Sequence, residues 1–205
     1  MADVKRYAPK DFSHLKGLKG VNDETLTNHF ALYQGYVKRT NTLTERLEGL
    51  QKEKKAQGAE PVYAELTRRL GFEYNGMVLH EYYFGNLAKG GKALPAGSPV
   101  RKLLERSFGS YERWLEDFKA VGTMPGVGWA VAYLDPRTNH VTNHWITLHE
   151  EGNVAGFQPL LVMDAWEHAF VPTYKPTERA KYVDALVGEI DWTAVETRLV
   201  QYQKR

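Results

Sequence analysis

The most constraining stretch of the chain is an apolar run, Pro159-Leu160-Leu161-Val162-Met163, that ends directly in Asp164-Ala165-Trp166-Glu167-His168. Five apolar residues in a row read as a buried strand, so the carboxylate and imidazole that follow are delivered to the interior of the fold. Such a pair suits a metal, with Asp164 a hard oxygen donor and neutral His168 a borderline nitrogen. Alone, Asp-x-x-x-His reads equally as a buried histidine satisfied by a nearby acid. What else converges on the pair decides between the two.

The chain has no cysteine, which excludes disulfides, thiolate ligands and a cysteine nucleophile. A metal must be held by His, Asp, Glu or water. The formal net charge of +2 gives no reason to expect nucleic acid or an anionic membrane as partner. Met1–Arg6 lacks the apolar core of a signal peptide and no apolar run is long enough to span a bilayer. The sequence reads as a soluble cytoplasmic protein, and its 205 residues fit one large domain or two small ones sharing a core.

Residues 1–20 read as an extended arm, with His14 exposed. Asn22 or Asp23 can cap a helix running to about residue 56. His29, Tyr33, Tyr36, Thr40, Leu43, Leu47 and Leu50 recur in steps of four and three along one of its faces, the seam of a helix packed against another. Pro61 can start a second helix, on which His80, Tyr83, Phe84 and Leu87 share a face. The two form an antiparallel hairpin with one inward histidine each. Gly71 and Gly76 predict a kink or close packing within the second.

The run from Lys89 to Ser98 is the most linker-like in the chain and predicts a boundary between domains at 1–90 and 91–205. Beyond it the pattern predicts helices from Pro99 to Arg106 and Tyr111 to Val121. Strands follow at Trp129–Leu134, His140–Leu148 and Phe157–Met163. A Thr177-capped helix to Ile190 and an Asp191-capped one to Tyr202 complete the chain. The fold class is α+β: an N-terminal antiparallel helical hairpin, then a C-terminal domain with a three-stranded antiparallel sheet flanked by helices. His140 and His144 share one side of a strand but have no acid at matching spacing, so they read as surface histidines.

Three inward histidines and one aspartate make a set that suits a redox metal or a hydrolytic zinc. Here the residues resemble a known family. Asp164-Ala165-Trp166-Glu167-His168-Ala169-Phe170 resembles the Asp-x-Trp-Glu-His-Ala-aromatic signature of the iron/manganese superoxide dismutases. Leu79-His80-Glu81-Tyr82-Tyr83-Phe84, Phe108-Gly109-Ser110-Tyr111, Gly126-Val127-Gly128-Trp129, Arg179-Ala180-Lys181-Tyr182 and Ile190-Asp191-Trp192 resemble its other landmarks in the same order. The resemblance implies dismutation of superoxide to dioxygen and hydrogen peroxide, by one iron or manganese ion per subunit. The ion is held by His29, His80, Asp164 and His168. It also implies a homodimer or a tetramer.

By the same resemblance Tyr36 is the gateway tyrosine and Trp129 and Trp166 are walls of the metal pocket. Tyr83 is a neighbouring support and Arg179 the funnel arginine. Glu167 reaches across the dimer interface toward His168 of the partner subunit. The alternatives are a non-haem iron oxygenase, which generally uses two His and one carboxylate, and a catalytically inactive homologue that keeps only the fold.

The chain departs from the family pattern in four places. His29 and Tyr36 are separated by six residues where the family has seven. Seven steps of a regular α-helix leave the two about 20° apart, whereas eight leave about 80° and need a π-bulge; an uninterrupted helix is therefore expected. The gateway histidine is missing from Ala31-Leu32-Tyr33-Gln34, and Val171 stands where its tyrosine partner belongs. Phe84 replaces a tryptophan. Gly76 stands where some members carry an outer-sphere glutamine, which predicts that His149 is the donor to the solvent on the metal.

Overall fold

The computed structural model describes residues 6–204. Helix α1 (Asp23–Lys52) starts as its capping chemistry dictates: the Asn22 side chain accepts from the Thr25 N–H at 2.8 Å, and Asp23 and Glu24 occupy the positive end of the dipole. It ends four residues earlier than the pattern predicts, because Lys54 adopts φ 57° and leaves the helical region. Between His29 and Tyr36 it is regular α-helix with no π-turn, as the shortened spacing requires. His29, Tyr33, Tyr36 and Thr40 are buried, while Leu43, Leu47 and Leu50 are only half-buried. The packed seam stops at Thr40.

Helix α2 (Pro61–Phe84) has Pro61 in its first turn and the Glu60 carboxylate accepting from the Tyr63 N–H. Neither Gly71 nor Gly76 interrupts it, so close packing, and not a break, is what Gly76 provides. Helices α3 (Pro99–Phe108) and α4 (Tyr111–Gly122) are capped by Ser98 and Ser110 and separated by Gly109 at φ 85°.

Strands β1 (Gly128–Asp135), β2 (His140–Thr147) and β3 (Gln158–Asp164) form an antiparallel sheet in the order β2-β1-β3. The α+β architecture is as the sequence implies. β1 is central and buried from Gly128 to Leu134, whereas β3 is an edge, where Pro159 is tolerated. The β1–β3 register sets Trp129 opposite Asp164.

Thr177 does not cap a helix. A 3-10 turn at Pro176–Glu178, closed by the Glu178 carboxylate on the Lys175 N–H, leads into α5 (Arg179–Val187), which ends ahead of Gly188. Asp191 caps α6 (Trp192–Gln203) through the Thr193 and Ala194 N–H groups, as expected.

Asn86, just past α2, binds the hairpin to the rest of the fold. Its amide donates to the Val162 carbonyl at 2.6 Å, its carbonyl accepts from Asp191 N–H, and Arg198 joins its side chain to the Leu160 carbonyl. The end of α2 is thereby fixed against β3, the strand that ends in Asp164. Among the described residues no helix is long and apolar enough to cross a membrane.

Candidate metal centre

Four elements each supply one donor. His29 comes from the second turn of α1, His80 from the last turn of α2 and Asp164 from the end of β3. His168 lies in the 3-10 turn Glu167–Ala169 that follows. One ligand atom from each lies within 4.8 Å of the others, and among the described residues this is the one such group. Asp164 Oδ2 stands 3.1 Å from His29 Nε2, 3.2 Å from His168 Nε2 and 3.7 Å from His80 Nε2. Its other oxygen accepts from the Trp166 N–H at 2.8 Å, which aims Oδ2 at the histidines. His29, His80 and Asp164 are buried; the His168 side chain, 22% exposed, is the partly open member.

Burial would push the Asp164 carboxyl up, but neighbouring His168 and the hydrogen bonds from His168 and His29 hold it well below the usual carboxylate range. Burial pushes the His29 imidazole down despite its bond to Asp164. It pushes His80 down further, helped by the adjacent His29. An anionic carboxylate facing the neutral imidazoles of His29 and His80, with His168 beside them, is the donor set a divalent or trivalent ion needs.

His80 supplies the test of fit. Its Nδ1 lies 2.5 Å from the Gly76 carbonyl oxygen, which can only accept, so the proton sits on Nδ1 and Nε2 carries a bare lone pair. That Nε2 is buried with no hydrogen-bond partner. A buried acceptor left without a donor is costly, and an ion among the four donors resolves it.

Around the cage the structure gathers Tyr36, Trp129, His149, Trp166 and Tyr83. The Trp129 indole N–H donates to His149 Nδ1 at 3.0 Å, and His149 Nε2 stands 2.8 Å from the Tyr36 hydroxyl. Indole nitrogen is a donor only, so the neutral imidazole must carry its one proton on Nε2 and give it to Tyr36. Burial lowers His149 to about 4, which keeps it neutral at physiological pH, and raises the Tyr36 hydroxyl to about 12. Trp166 stacks on both His149 and His168, with ring centroids 5.0 and 5.5 Å away. Trp129 meets His80 edge-on at 4.9 Å, and Tyr83 lies 5.3 Å from the His29 ring.

The Arg179 guanidinium donates to the Met124 and Gly126 carbonyls at 2.6 and 2.8 Å. Glu167 is exposed and, among the described residues, its carboxylate has no partner. His140 and His144, both on β2, bond to the Thr138 carbonyl of the preceding turn and to the Thr142 hydroxyl, and take no part.

Two supporting groups escape a reading of the sequence for ligands. The Tyr182 hydroxyl donates to the Asp164 carbonyl at 2.7 Å, and Tyr83 hydroxyl stands 3.1 Å behind it. The Asn75 amide donates to the His149 carbonyl at 2.8 Å, fixing the loop that carries the imidazole. Tyr182 falls in a landmark run and Asn75 next to Gly76, but only the folded chain shows what either touches.

Residues 95–198 match the family described as iron/manganese superoxide dismutases, C-terminal domain. Over 204 residues the chain is 34% identical to the superoxide dismutase [Fe] of Aquifex aeolicus, covering 98% of this chain and 94% of that one. It is 34% identical over 178 residues to the superoxide dismutase [Mn/Fe] of Aeropyrum pernix, covering 85% and 80%. It is 30% identical over 182 residues to the superoxide dismutase [Mn] 2 of Haloferax volcanii, covering 88% of each. With its four donors converging as they do, the chain belongs to the iron/manganese superoxide dismutases.

Proposed function

We propose that the protein converts superoxide to dioxygen and hydrogen peroxide with one iron or manganese ion per subunit, held by His29, His80, Asp164 and His168. The observation that carries this reading is the orphaned, bare His80 Nε2 facing the Asp164 carboxylate. When bound, the ion supplies the one-electron chemistry: an electron taken from one superoxide, which leaves as dioxygen, is given to a second.

The second superoxide must gain two protons to leave as hydrogen peroxide. Tyr36 is placed to manage them. Its hydroxyl accepts from His149 and so keeps its own proton for another acceptor, and a hydroxyl held up at about 12 stays protonated at neutral pH. His149 acts through Tyr36, since its single N–H is already committed there. Trp129 sets the tautomer of His149, Trp166 and Tyr83 hold the rings around the cage, and Arg179 helps draw the anion in. Glu167, exposed and unpartnered within one chain, pairs with His168 of the partner subunit in a homodimer or a tetramer. The enzyme is cytoplasmic, and its domains divide at 1–90 and 91–205. The match of the family's C-terminal domain to residues 95–198 supports that division.

Protein purified from cells given iron or manganese, analysed for metal and assayed on each form, tests the proposal. One ion per chain with rapid superoxide removal in at least one form is expected. Metal-reconstituted protein that removes superoxide no faster than the metal-free protein overturns it in favour of an inactive homologue.

A further inference from the structure

One turn before Gly76, α2 buries a carboxylate that the metal cage does not use. Glu73 is 1% exposed, and both its oxygens face guanidinium groups. Arg39 Nε stands 2.7 Å from Oε2, while Arg69 Nε and Nη2 stand 2.8 and 2.6 Å from Oε1. Arg39 lies one turn after Tyr36 on α1 and Arg69 one turn before Glu73 on α2, so the acid ties the two helices together. A buried carboxylate paired with two arginines is weak evidence for stability, because its desolvation offsets the attraction and apolar replacements often serve as well.

What the set accounts for is where the guanidiniums are held. Arg39 lies 4.6 Å from the centroid of the Tyr36 ring. Arg69 lies 4.1 Å from that of Phe72, whose own ring is 4.6 Å from His149. The backbone makes room for this arrangement. A Cβ on Gly35 would stand 2.9 Å from Arg39 Nη1, and one on Gly76 would stand 2.6 Å from the Tyr36 ring. Tyr36 is thus confined between Gly76 and Arg39, and His149 is backed by Phe72 and Arg69. Both arginine side chains are half-exposed, at 49% and 48%, and a long side chain in that position samples many rotamers unless it is tethered. Glu73 is what keeps them on the rings.

We propose that Arg39, Glu73 and Arg69 form a positioning bracket for the Tyr36–His149 hydrogen bond, with Glu73 as its keystone. None of the three touches the four ligands in the contacts above. The kinetic consequence rests on the dismutase reading; the structural one does not.

Two measurements on the full chain test the bracket. In metal-loaded protein, E73Q and R39M should each lower the dismutation rate about three- to tenfold at unchanged metal content. The double variant should fall no further than the worse single one, since coupled groups are not additive. In a Y36F background neither substitution should lower the rate further. In metal-free protein, hydrogen exchange of the Trp129 indole N–H, assigned with W129F, should quicken about threefold or more in E73Q and R39M as His149 loosens. R39K, which keeps the charge but not the planar fork, should behave as R39M does. An equal fractional loss in the Y36F background, or unchanged indole exchange in both variants, overturns the proposal. If E73Q does not fold, R39M and R69M, altered at half-exposed positions, decide by the same readouts. If the loaded wild type removes no superoxide, the dismutase reading fails and indole exchange alone decides the bracket.

Discussion

The Tyr36 ring lies where a side chain on Gly76 would have to begin: a Cβ there would meet the ring at 2.6 Å. An outer-sphere glutamine from this position of α2 is therefore sterically incompatible with Tyr36 as placed, and His149 reaches the hydroxyl from the opposite strand loop. Gly76→Ala is expected to destabilise the fold by about 1–3 kcal/mol, as overpacking does, despite the better helix propensity of alanine. Urea unfolding of the metal-free variant measures it. A variant as stable as the parent would mean that Tyr36 has somewhere else to go.

His149→Ala leaves the buried Trp129 indole N–H without an acceptor, which costs about 1–3 kcal/mol. It also removes the donor to Tyr36. Dismutation should fall at least about tenfold while metal content holds, since none of the four ligands is altered. His149→Gln can keep both bonds, its carbonyl accepting from Trp129 and its amide donating to Tyr36, with one N–H to spare. That spare donor should shift the metal's reduction potential, read by redox titration, with less loss of rate than in the alanine variant. Loss of the metal from H149A would make His149 a ligand or a folding residue instead.

Much of this site is legible in the sequence, and the reason is periodicity. His29 and His80 fall on helical stripes, and Asp164 follows an unbroken apolar run, so each is delivered inward by its own element. Even the regular helix from His29 to Tyr36 follows from counting residues against the pitch. What cannot be read is contact between elements. Tyr182 under the Asp164 carbonyl joins α5 to the end of β3, and Glu73 shows locally only its pairing with Arg69 one turn earlier; its reach to Arg39 depends on how α1 packs on α2. The end of α1 and the start of α5 shift for a simpler reason. Lys54 at φ 57° and the 3-10 turn at Pro176–Glu178 are local backbone choices that the periodicity of side chains does not encode.

Acid should weaken the metal-free protein well before its carboxylates titrate. His149 is lowered to about 4 in the fold against 6.5 in a free chain, so between these values the unfolded state binds the extra proton. Stability is then complete above about 6.5 and falls as pH drops toward 4, by about 3 kcal/mol from this group. His29 and His80, also lowered by burial, add in the same direction. Urea midpoints measured between pH 7 and 4.5 should fall steadily, and His149→Gln should flatten the slope. An unchanged slope in that variant would assign the acid sensitivity to the ligand histidines and to His144, which burial also lowers.

The exposed Glu167 carboxylate makes a separable prediction. Glu167→Ala should leave the stability of the isolated subunit within about 0.5 kcal/mol, as surface substitutions do. In the proposed homodimer, the subunit association constant should fall about tenfold or more, the effect of unpairing a charge at an interface. Sedimentation over a range of concentrations measures it. Association unaltered by the change would remove Glu167 from the interface.

Asp164→Asn separates metal binding from folding. The asparagine carbonyl can still accept from the Trp166 N–H, and its amide can donate to His29 or His168 in place of the present contacts. The metal-free variant should therefore unfold within about 2 kcal/mol of the parent, the range of an isosteric change at a hydrogen-bonded site. The metal response should differ completely. Manganese(II) or iron(II) at about a hundred times its dissociation constant stabilises a binding protein by about 2.7 kcal/mol. For a chain of this size that is a rise in melting temperature of about 5–10 °C. The parent should show that rise and Asp164→Asn should show none, because three neutral imidazoles without the carboxylate give the ion neither charge balance nor its oxygen donor. A rise of equal size in the variant would mean that the ion sits elsewhere.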